Sequence, residues 1–538
     1  MKKRLLACFL LTNLSLITHC EAVTIANTPE NMIYAMNRLG FGASDETLRE
    51  IKEVGLNKWV DEQLHAQAPQ MPANVEQQID QMEISRMNQQ ELIDWVNVPK
   101  EMNNNEDFKK MVRQRQELLV YETFRREAIR DMYSPNQLLE NMTWFWSNHF
   151  SVFSQKGPIK EFLPDYEENA IRAHALGNFE DLVRATLEHP AMSVFLDNYD
   201  NTAPDSLVNA HLKPGQTPKG INENYAREIL ELHTLGQGNG YTQKDVQELA
   251  RILTGFSFRR NSDPIHMRPD YQAYAVTQGL FFFDPRRHDF GDKVFMGHVI
   301  KGSGYHEIDQ VLDIICNSPY TAKHISQKLA WYFLDDNPSA TLVNNMSDKF
   351  LQTHGNIPAV LSVLFHSKEF WNKASEQSKF RMPHQYVIAS LRLEYGDYLM
   401  VNYRPVWNTL NNLGEQPYGH QTPEGYGLKQ KDWASADQME KRLEFAQFIS
   451  GKKTRLFSED ETLKNAHDRI QASMNPMMAS SADLSPPPVP QVDNPASFDK
   501  SYVLLNPILK DKTRQVLEQA NNNEKMGFLL SSPEMMNY

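Results

Sequence analysis

Apolar residues return at helical spacing along most of the chain. Within residues 39–64 the stripe runs through Leu48, Ile51, Leu56, Trp59, Val60 and Leu64, interrupted by Gly40, Gly42 and Gly55. Residues 66–108, rich in Gln, Asn, Glu and Met, lose that spacing and read as a polar insertion or a loosely packed helical arm. From Glu117 the helical spacing resumes and continues to about Tyr395. Ser134-Pro135 and Asn337-Pro338 each offer an N-cap followed by a proline at the first helical position. One strand-like region interrupts. Residues 279–283 and 294–300 flank the turn-rich 284–293, which predicts a β-hairpin. Residues 474–497, with Pro486-Pro-Pro488 and Pro490, read as an exposed proline-rich linker or loop. No fixed-period repeat is visible. The expected fold is mostly α, a single large multi-helical domain with a small β-hairpin and polar and Pro-rich insertions. Its expected parts are an N-terminal helical segment 23–65, the insertion 66–108, the main helical domain 109–455 with its hairpin near 279–300, a Pro-rich loop 456–505 and a C-terminal helical segment 506–538.

Charge and cysteines place the chain before any chemistry does. Met1-Lys-Lys-Arg4 is a basic n-region, and residues 5–17 form a mainly apolar h-region too short to span a membrane. Cys20-Glu-Ala22 offers small residues at −3 and −1 of a cleavage site after Ala22. Residues 1–22 are therefore expected to be a signal peptide, and the protein to be exported, periplasmic or extracellular. Acylation at Cys20 is the weaker reading, because His19 stands where a lipoprotein needs a small residue. After Val23 no run reaches the ~18 apolar residues of a transmembrane helix. Cleavage takes three basic residues and one acidic residue from totals of 55 and 68, leaving a net charge of −15. Such a chain has no general attraction for nucleic acid or anionic lipid. Of the three cysteines, Cys8 and Cys20 leave with the signal. Cys316 stands alone, so neither an intramolecular disulfide nor a cysteine-ligated metal is expected.

Ionisable groups are densest in residues 221–258. At 100° per residue Glu223, Arg227 and Glu231 form one stripe with Asn224 and Glu228 beside it, while Tyr225, Ile229, Leu230 and Leu232 take the other side. An exposed face laced with i,i+4 ion pairs accounts for this pattern. So does a carboxylate cluster in a cleft, where Arg227 holds Glu223 and Glu231 ionised and Glu228 serves as acid, base or ligand. His233 lies in the last turn, where an imidazolium would complement the helix dipole. Gly236-Gln-Gly-Asn-Gly240 looks like a phosphate-cradling loop. It follows a helix rather than the strand a dinucleotide fingerprint requires, so its glycines are expected to cap and reverse the chain. Thr242 with Asp245 predicts a capping box for a second helix with a buried stripe of Val246, Leu249, Ala250 and Leu253, ended by Gly255. The negative charge argues against a DNA-reading version of this pair.

Two further clusters carry candidate chemistry. In Trp144-Phe-Trp-Ser-Asn-His-Phe150, His149 shares a face with Leu138, Met142, Phe145 and Trp146, as a core histidine held by one hydrogen bond would. The functional alternative pairs His149 and Asn148 beside the Trp144 and Trp146 indoles, the composition of a carbohydrate subsite. His288-Asp289-Phe-Gly-Asp292-Lys293 is ordinary turn chemistry, or a divalent-metal site of His288, Asp289 and Asp292. HExxH, GxSxG, a Walker loop, CxxCH and paired-cysteine zinc motifs are absent. No haem or nucleotide is expected, and a hydrolase or metalloprotein would have to work with His and carboxylates alone.

The chain resembles a large bacterial family of exported proteins, domain of unknown function 1800. The matching stretches run in order. They begin with Asn37-Arg-Leu-Gly-Phe-Gly42, Trp59 and Gln63-Leu64, then Phe145-Trp-Ser-Asn-His-Phe150 and Asn222-Glu-Asn-Tyr-Ala-Arg-Glu-Ile-Leu-Glu-Leu-His-Thr-Leu-Gly236. Gly240-Tyr-Thr, Asp245-Val246, Ala250-Arg-Ile-Leu-Thr-Gly255 and His288-Asp289 with Lys293 and Gly297 follow. Leu413-Gly414, Gln416-Pro417, Pro423-Glu-Gly-Tyr426, Trp433 and Leu529-Leu-Ser-Ser-Pro-Glu534 close the series. Phe256 departs from the tryptophan more usual there. The resemblance implies a mostly helical, exported protein and a link to a companion family of exported sulfatase-like proteins. It implies no activity.

Two functions remain in view. The first is an envelope or extracellular binding or assembly factor, working with a partner protein or a polysaccharide. The second is a hydrolase whose cleft joins Glu228 and Glu231 with His149, His233 and His288/Asp289, with or without a divalent metal. The first comes ahead, because every cluster has an adequate structural explanation.

Overall fold

A computed structural model of the chain describes residues 25–65, 70–260, 265–396, 398–451, 454–461, 463–464 and 497–538. The expected signal segment 1–22 and residues 465–496 of the expected Pro-rich loop 456–505 lie outside the described residues, and the end of that loop is instead a helix, Phe498–Leu505, which buries Leu504 and Leu505. The spine is the helix Glu106–Tyr133, opened by Asn105, whose side chain accepts the Phe108 N–H at 3.0 Å. The helix Gln137–His149 follows it after a short turn. The expected cap at Ser134-Pro135 is displaced: Asn136 is the N-cap, accepting from Leu139 N–H, and Pro135 precedes it. The same shift occurs at Asn337-Pro338, where Ser339 caps Ala340–Gln352. In both places a capping side chain stands one residue beyond the proline and satisfies an orphan N–H better than the proline-first arrangement would.

Residues 29–64 form three helices, Pro29–Leu39, Asp45–Val54 and Leu56–Leu64, with Gly55 at φ 86° between the last two. Within the polar insertion, Ala73–Asp80, Glu83–Arg86 and Gln89–Trp95 pack on the spine and on Ile159–Asp165, burying Val75, Leu92 and Ile93. Each such buried side chain contributes about 1.5–3 kcal/mol relative to exposure.

Residues 279–283 and 294–300 are both strand-bearing but do not pair with each other. β1 (Phe256–Phe258), β2 (Val276–Gln278) and β3 (Phe281–Phe283) form an antiparallel sheet in the order β1-β3-β2. β4 (Lys293–Phe295) pairs with β5 (His298–Ile300). The reason is local. Phe281, Phe282 and Phe283 are all buried, which suits a central strand flanked on both sides. Met296 at φ 47° and Gly297 at φ 83° close β4 onto β5 in a two-residue turn of primed geometry.

In residues 221–258 the α-helix Asn224–Glu228 widens into a π-turn, Ile229–His233, and the expected capping box of Thr242 and Asp245 opens the helix Gln243–Ile252. The C-terminal helices pack onto Pro383–Tyr395 and Ala436–Ile449, completing one large, mostly helical domain. Among the described residues no helix is long and apolar enough to cross a membrane.

Candidate functional site

Four segments far apart in sequence enclose one cleft. On the spine, Val120, Phe124, Glu127 and Asp131 recur at helical spacing, so two carboxylates continue an apolar stripe into the interior. Phe124 and Glu127 reach the cleft, facing Trp144, Ser147 and Asn148 of the helix Gln137–His149. His384 enters from the first turn of Pro383–Tyr395, and residues 415–426 supply Glu415, Tyr418 and Tyr426. The empty space between these walls is about 500 Å³, its open mouth included.

The 415–426 wall is held by specific contacts. Asn148 clamps the Tyr426 backbone, donating from Nδ2 to its carbonyl at 2.9 Å and accepting its N–H on Oδ1 at 2.6 Å. Gly425, at φ 70°, lies so close that a Cβ there would strike the Asn148 carbonyl. Tyr418 adopts φ 52°, a conformation costing a non-glycine residue about 1–3 kcal/mol. Its hydroxyl donates to Glu127 Oε2 at 2.9 Å, and its carbonyl accepts the Ser154 N–H at 3.0 Å.

The charges of this cleft are strongly perturbed. Burial, reinforced by the charge of Asp131, pushes the Glu127 carboxyl up to about 8, against the pull of His384 and Tyr418. Burial also raises Glu415 to about 7, although His384 and Arg442 oppose the shift. Glu415 Oε2 accepts the His384 N–H at 2.6 Å, while Oε1 is buried without a hydrogen-bond partner. Asp131 Oδ2 lies 2.8 Å from His384 Nε2. Burial raises the carboxyl and lowers the imidazole, driving that pair towards its neutral form. Burial alone does not fix the sign. Glu168, half-buried beside Arg126 and Arg130, falls to about 2 although desolvation opposes it. A carboxyl protonated at neutral pH can donate a proton, and one near half-ionisation can accept it. The cleft therefore holds the elements of general acid–base catalysis.

The residues expected from sequence fall in several places, with His149 brought to His233 and Glu228 beside Glu231. Trp144 lines the cleft, its ring stacked on Tyr332 with centroids 5.7 Å apart and 5.9 Å from His384. Trp146 is fully buried and donates to the Ala175 carbonyl at 3.0 Å. His149 turns to another face of its helix and meets His233, with ring centroids 6.0 Å apart. His233, 2% exposed, is pushed down to about 3 by burial and by Lys328, so at neutral pH it supplies no imidazolium to the helix dipole. Glu223, Arg227 and Glu231 form a partly exposed ladder, with both ion pairs at 3.3 Å, and Gln243 bridges it through Glu223 at 2.7 Å. Asn224 donates to the Leu196 carbonyl at 3.3 Å. Glu228 is half-buried and raised, first by burial and then by Glu231 and Glu424.

His288, Asp289 and Asp292 each have separate partners. His288 contacts Glu307 Oε1 at 3.0 Å and the Thr254 carbonyl at 2.8 Å, in a buried knot closed by Lys293 on Glu307 Oε2 at 2.6 Å. Asp289 pairs with Arg251 at 2.7 Å and Asp292 with Lys301 at 2.5 Å. Among the described residues no group of three or more His, Cys, Asp or Glu is arranged to hold a metal ion.

Sequence reasoning missed Glu127, Asp131, His384, Glu415 and Tyr418. A signal for two of them was present: Glu127 and Asp131 occupy positions where Val120 and Phe124 set an apolar stripe. No curated protein and no solved structure matches the chain. The family model described as Protein of unknown function (DUF1800) matches residues 34–537, a span that includes every wall of the cleft, and the chain belongs to that family.

Proposed function

We propose that the protein is an exported acid–base hydrolase working in the Glu127–Glu415 cleft on a hydroxyl-rich substrate such as a polysaccharide. Glu127 acts as general acid and Glu415 as general base, with the His384–Asp131 pair orienting Glu415 through the His384 backbone N–H. The observation that carries the reading is the meeting of two carboxyls, raised to about 8 and about 7, in one aromatic-walled cleft. Trp144 and Tyr426 suit a sugar face, and the basic n-region and apolar h-region of residues 1–22 support export. The test is release of reducing ends from a panel of polysaccharides by the mature chain, beside Glu127→Gln and Glu415→Gln. Each substitution is expected to lower the rate by about 10²–10⁴-fold. Equal rates in all three proteins would contradict the reading.

A binding or assembly role has its own support. Val294 and Val299 face each other across β4 and β5 and are 45% and 59% exposed, an apolar pair suited to a partner such as an exported sulfatase-like protein. Val294→Ser with Val299→Ser is expected to abolish cross-linking to such a partner. Undiminished cross-linking would count against it.

A further inference from the structure

A second polar centre lies beside the helix Gln137–His149, on a face other than the one lining the cleft. His149 Nε2 is 3.1 Å from the His233 carbonyl, and His324 Nδ1 is 2.9 Å from the Thr234 carbonyl. Carbonyls only accept, so each of these ring nitrogens carries the proton. His149 Nδ1 is then a lone pair, and it accepts from Lys328 Nζ at 2.7 Å. That bond uses one of three Lys328 protons. Among the described residues Lys328 Nζ makes no other hydrogen bond, and His233 Nε2 is buried with no partner at all.

The charge balance is one-sided. The charged groups acting on His149 are Lys328, His233 and His324; those on His233 are Lys328 and His324; that on His324 is Lys328. No carboxylate is among them, in a chain with 68 acidic against 55 basic residues. Burial and mutual repulsion push His324 down to about 4, and burial pushes Lys328 down to about 8. His149 and His233 are 2% exposed, and His324 and Lys328 are partly buried along their side chains, with the Lys328 ammonium itself lying inside the protein. The 236–240 loop packs on the cluster: a Cβ on Gly236 would stand 3.0 Å from His324 Nδ1, so only a glycine lets the loop close against that ring.

We propose that this basic cluster binds a tetrahedral oxyanion, phosphate or sulfate, either free or as an ester group on a larger molecule. The remaining Lys328 protons donate to its oxygens, and His324, protonated on binding, donates from Nε2. An oxyanion supplies the acceptors and the negative charge that four clustered basic groups lack. Because His324 takes up a proton and Lys328 is charged only below about 8, binding strengthens as pH falls. The site stands independently of the cleft, so loss of catalysis there leaves it untouched.

Isothermal titration of the mature chain with inorganic sulfate and inorganic phosphate, at pH 6 and pH 8.5, tests the site. The expected result is one saturable site, at least about tenfold tighter at the lower pH. Lys328→Met should weaken it by about tenfold or more, and Lys328→Arg should retain it. Should Lys328→Met not fold, His324→Gln serves instead, and is expected to reduce the pH dependence to the part that protonation of Lys328 supplies. A parallel titration with an aryl sulfate and an aryl phosphate monoester separates the sources. Tighter binding of a monoester identifies an esterified ligand, and binding of the inorganic ion alone identifies a free one. Absence of saturable binding at pH 6, or affinity unchanged in Lys328→Met, or pH dependence unchanged in His324→Gln, overturns the proposal.

Discussion

The ladder Glu223–Arg227–Glu231 and the cleft of Glu127 and Glu415 use the same acidic side chain to opposite ends. In the ladder each carboxylate has a guanidinium partner at 3.3 Å, on a face where Arg227 and Glu223 are 37% and 35% exposed at the side chain. Water and Arg227 keep such charges comfortable, and pairs of this kind contribute ~0–1 kcal/mol. In the cleft Glu127 and Glu415 are 7% and 3% exposed and both lie near His384, with the charge of Asp131 acting on Glu127 and that of Glu127 acting on Glu415. Desolvation there outweighs every favourable partner. The lesson is that density of ionisable residues along a helix says little, whereas a carboxylate at a position meant for a core side chain says a great deal.

The comparison can be broken by substitution. The largest effect is expected at Glu127→Gln, which should lower turnover by about 10²–10⁴-fold while leaving the fold intact; loss of activity with loss of the circular-dichroism spectrum would point to a structural role instead. Next, Phe124→Ala, beside Glu127 on the same stripe, should destabilise the protein by about 3–5 kcal/mol in urea melts.

An effect of similar size concerns pH. The folded Glu127 titrates at about 8, above its ordinary 4.5, so its contribution to stability is fully present below pH 4.5 and is lost as pH rises through 8. Wild-type stability should therefore fall between pH 5 and pH 9 relative to Glu127→Gln, by about 4 kcal/mol. Parallel stability curves for the two proteins would show that Glu127 is ionised throughout. The smallest effect belongs to the ladder: Arg227→Ala should change stability by about 0.5 kcal/mol or less, and turnover not at all. A large loss of turnover there would move the site back to residues 221–258.

Much of the architecture was legible because helical periodicity survives burial. The stripe Val246, Leu249 and Ala250 and the Thr242–Asp245 capping box stand where the pattern placed them. Strand pairing was less legible. Phe281–Phe283 and His298–Ile300 each read as strands; the Met296-Gly297 turn that closes β4 onto β5 is a local signal, whereas the pairing of β3 with β1 is fixed by contacts that no local pattern encodes. The cleft was only half legible. Trp144 and Asn148 stood out by composition, and Gln416-Pro417 and Pro423-Glu-Gly-Tyr426 by resemblance. His384 and Glu415 look ordinary in their own neighbourhoods, and only the tertiary fold carries the His384 N–H to Glu415 and the imidazole to Asp131.

Infrared difference spectroscopy of the mature chain between pH 5 and pH 10, wild type against Glu127→Gln, tests the central claim directly. A protonated carboxyl band present at pH 6.5, titrating with a midpoint near 8 and missing from Glu127→Gln, is the predicted result. A wild-type spectrum with no protonated carboxyl band above pH 6 would contradict it.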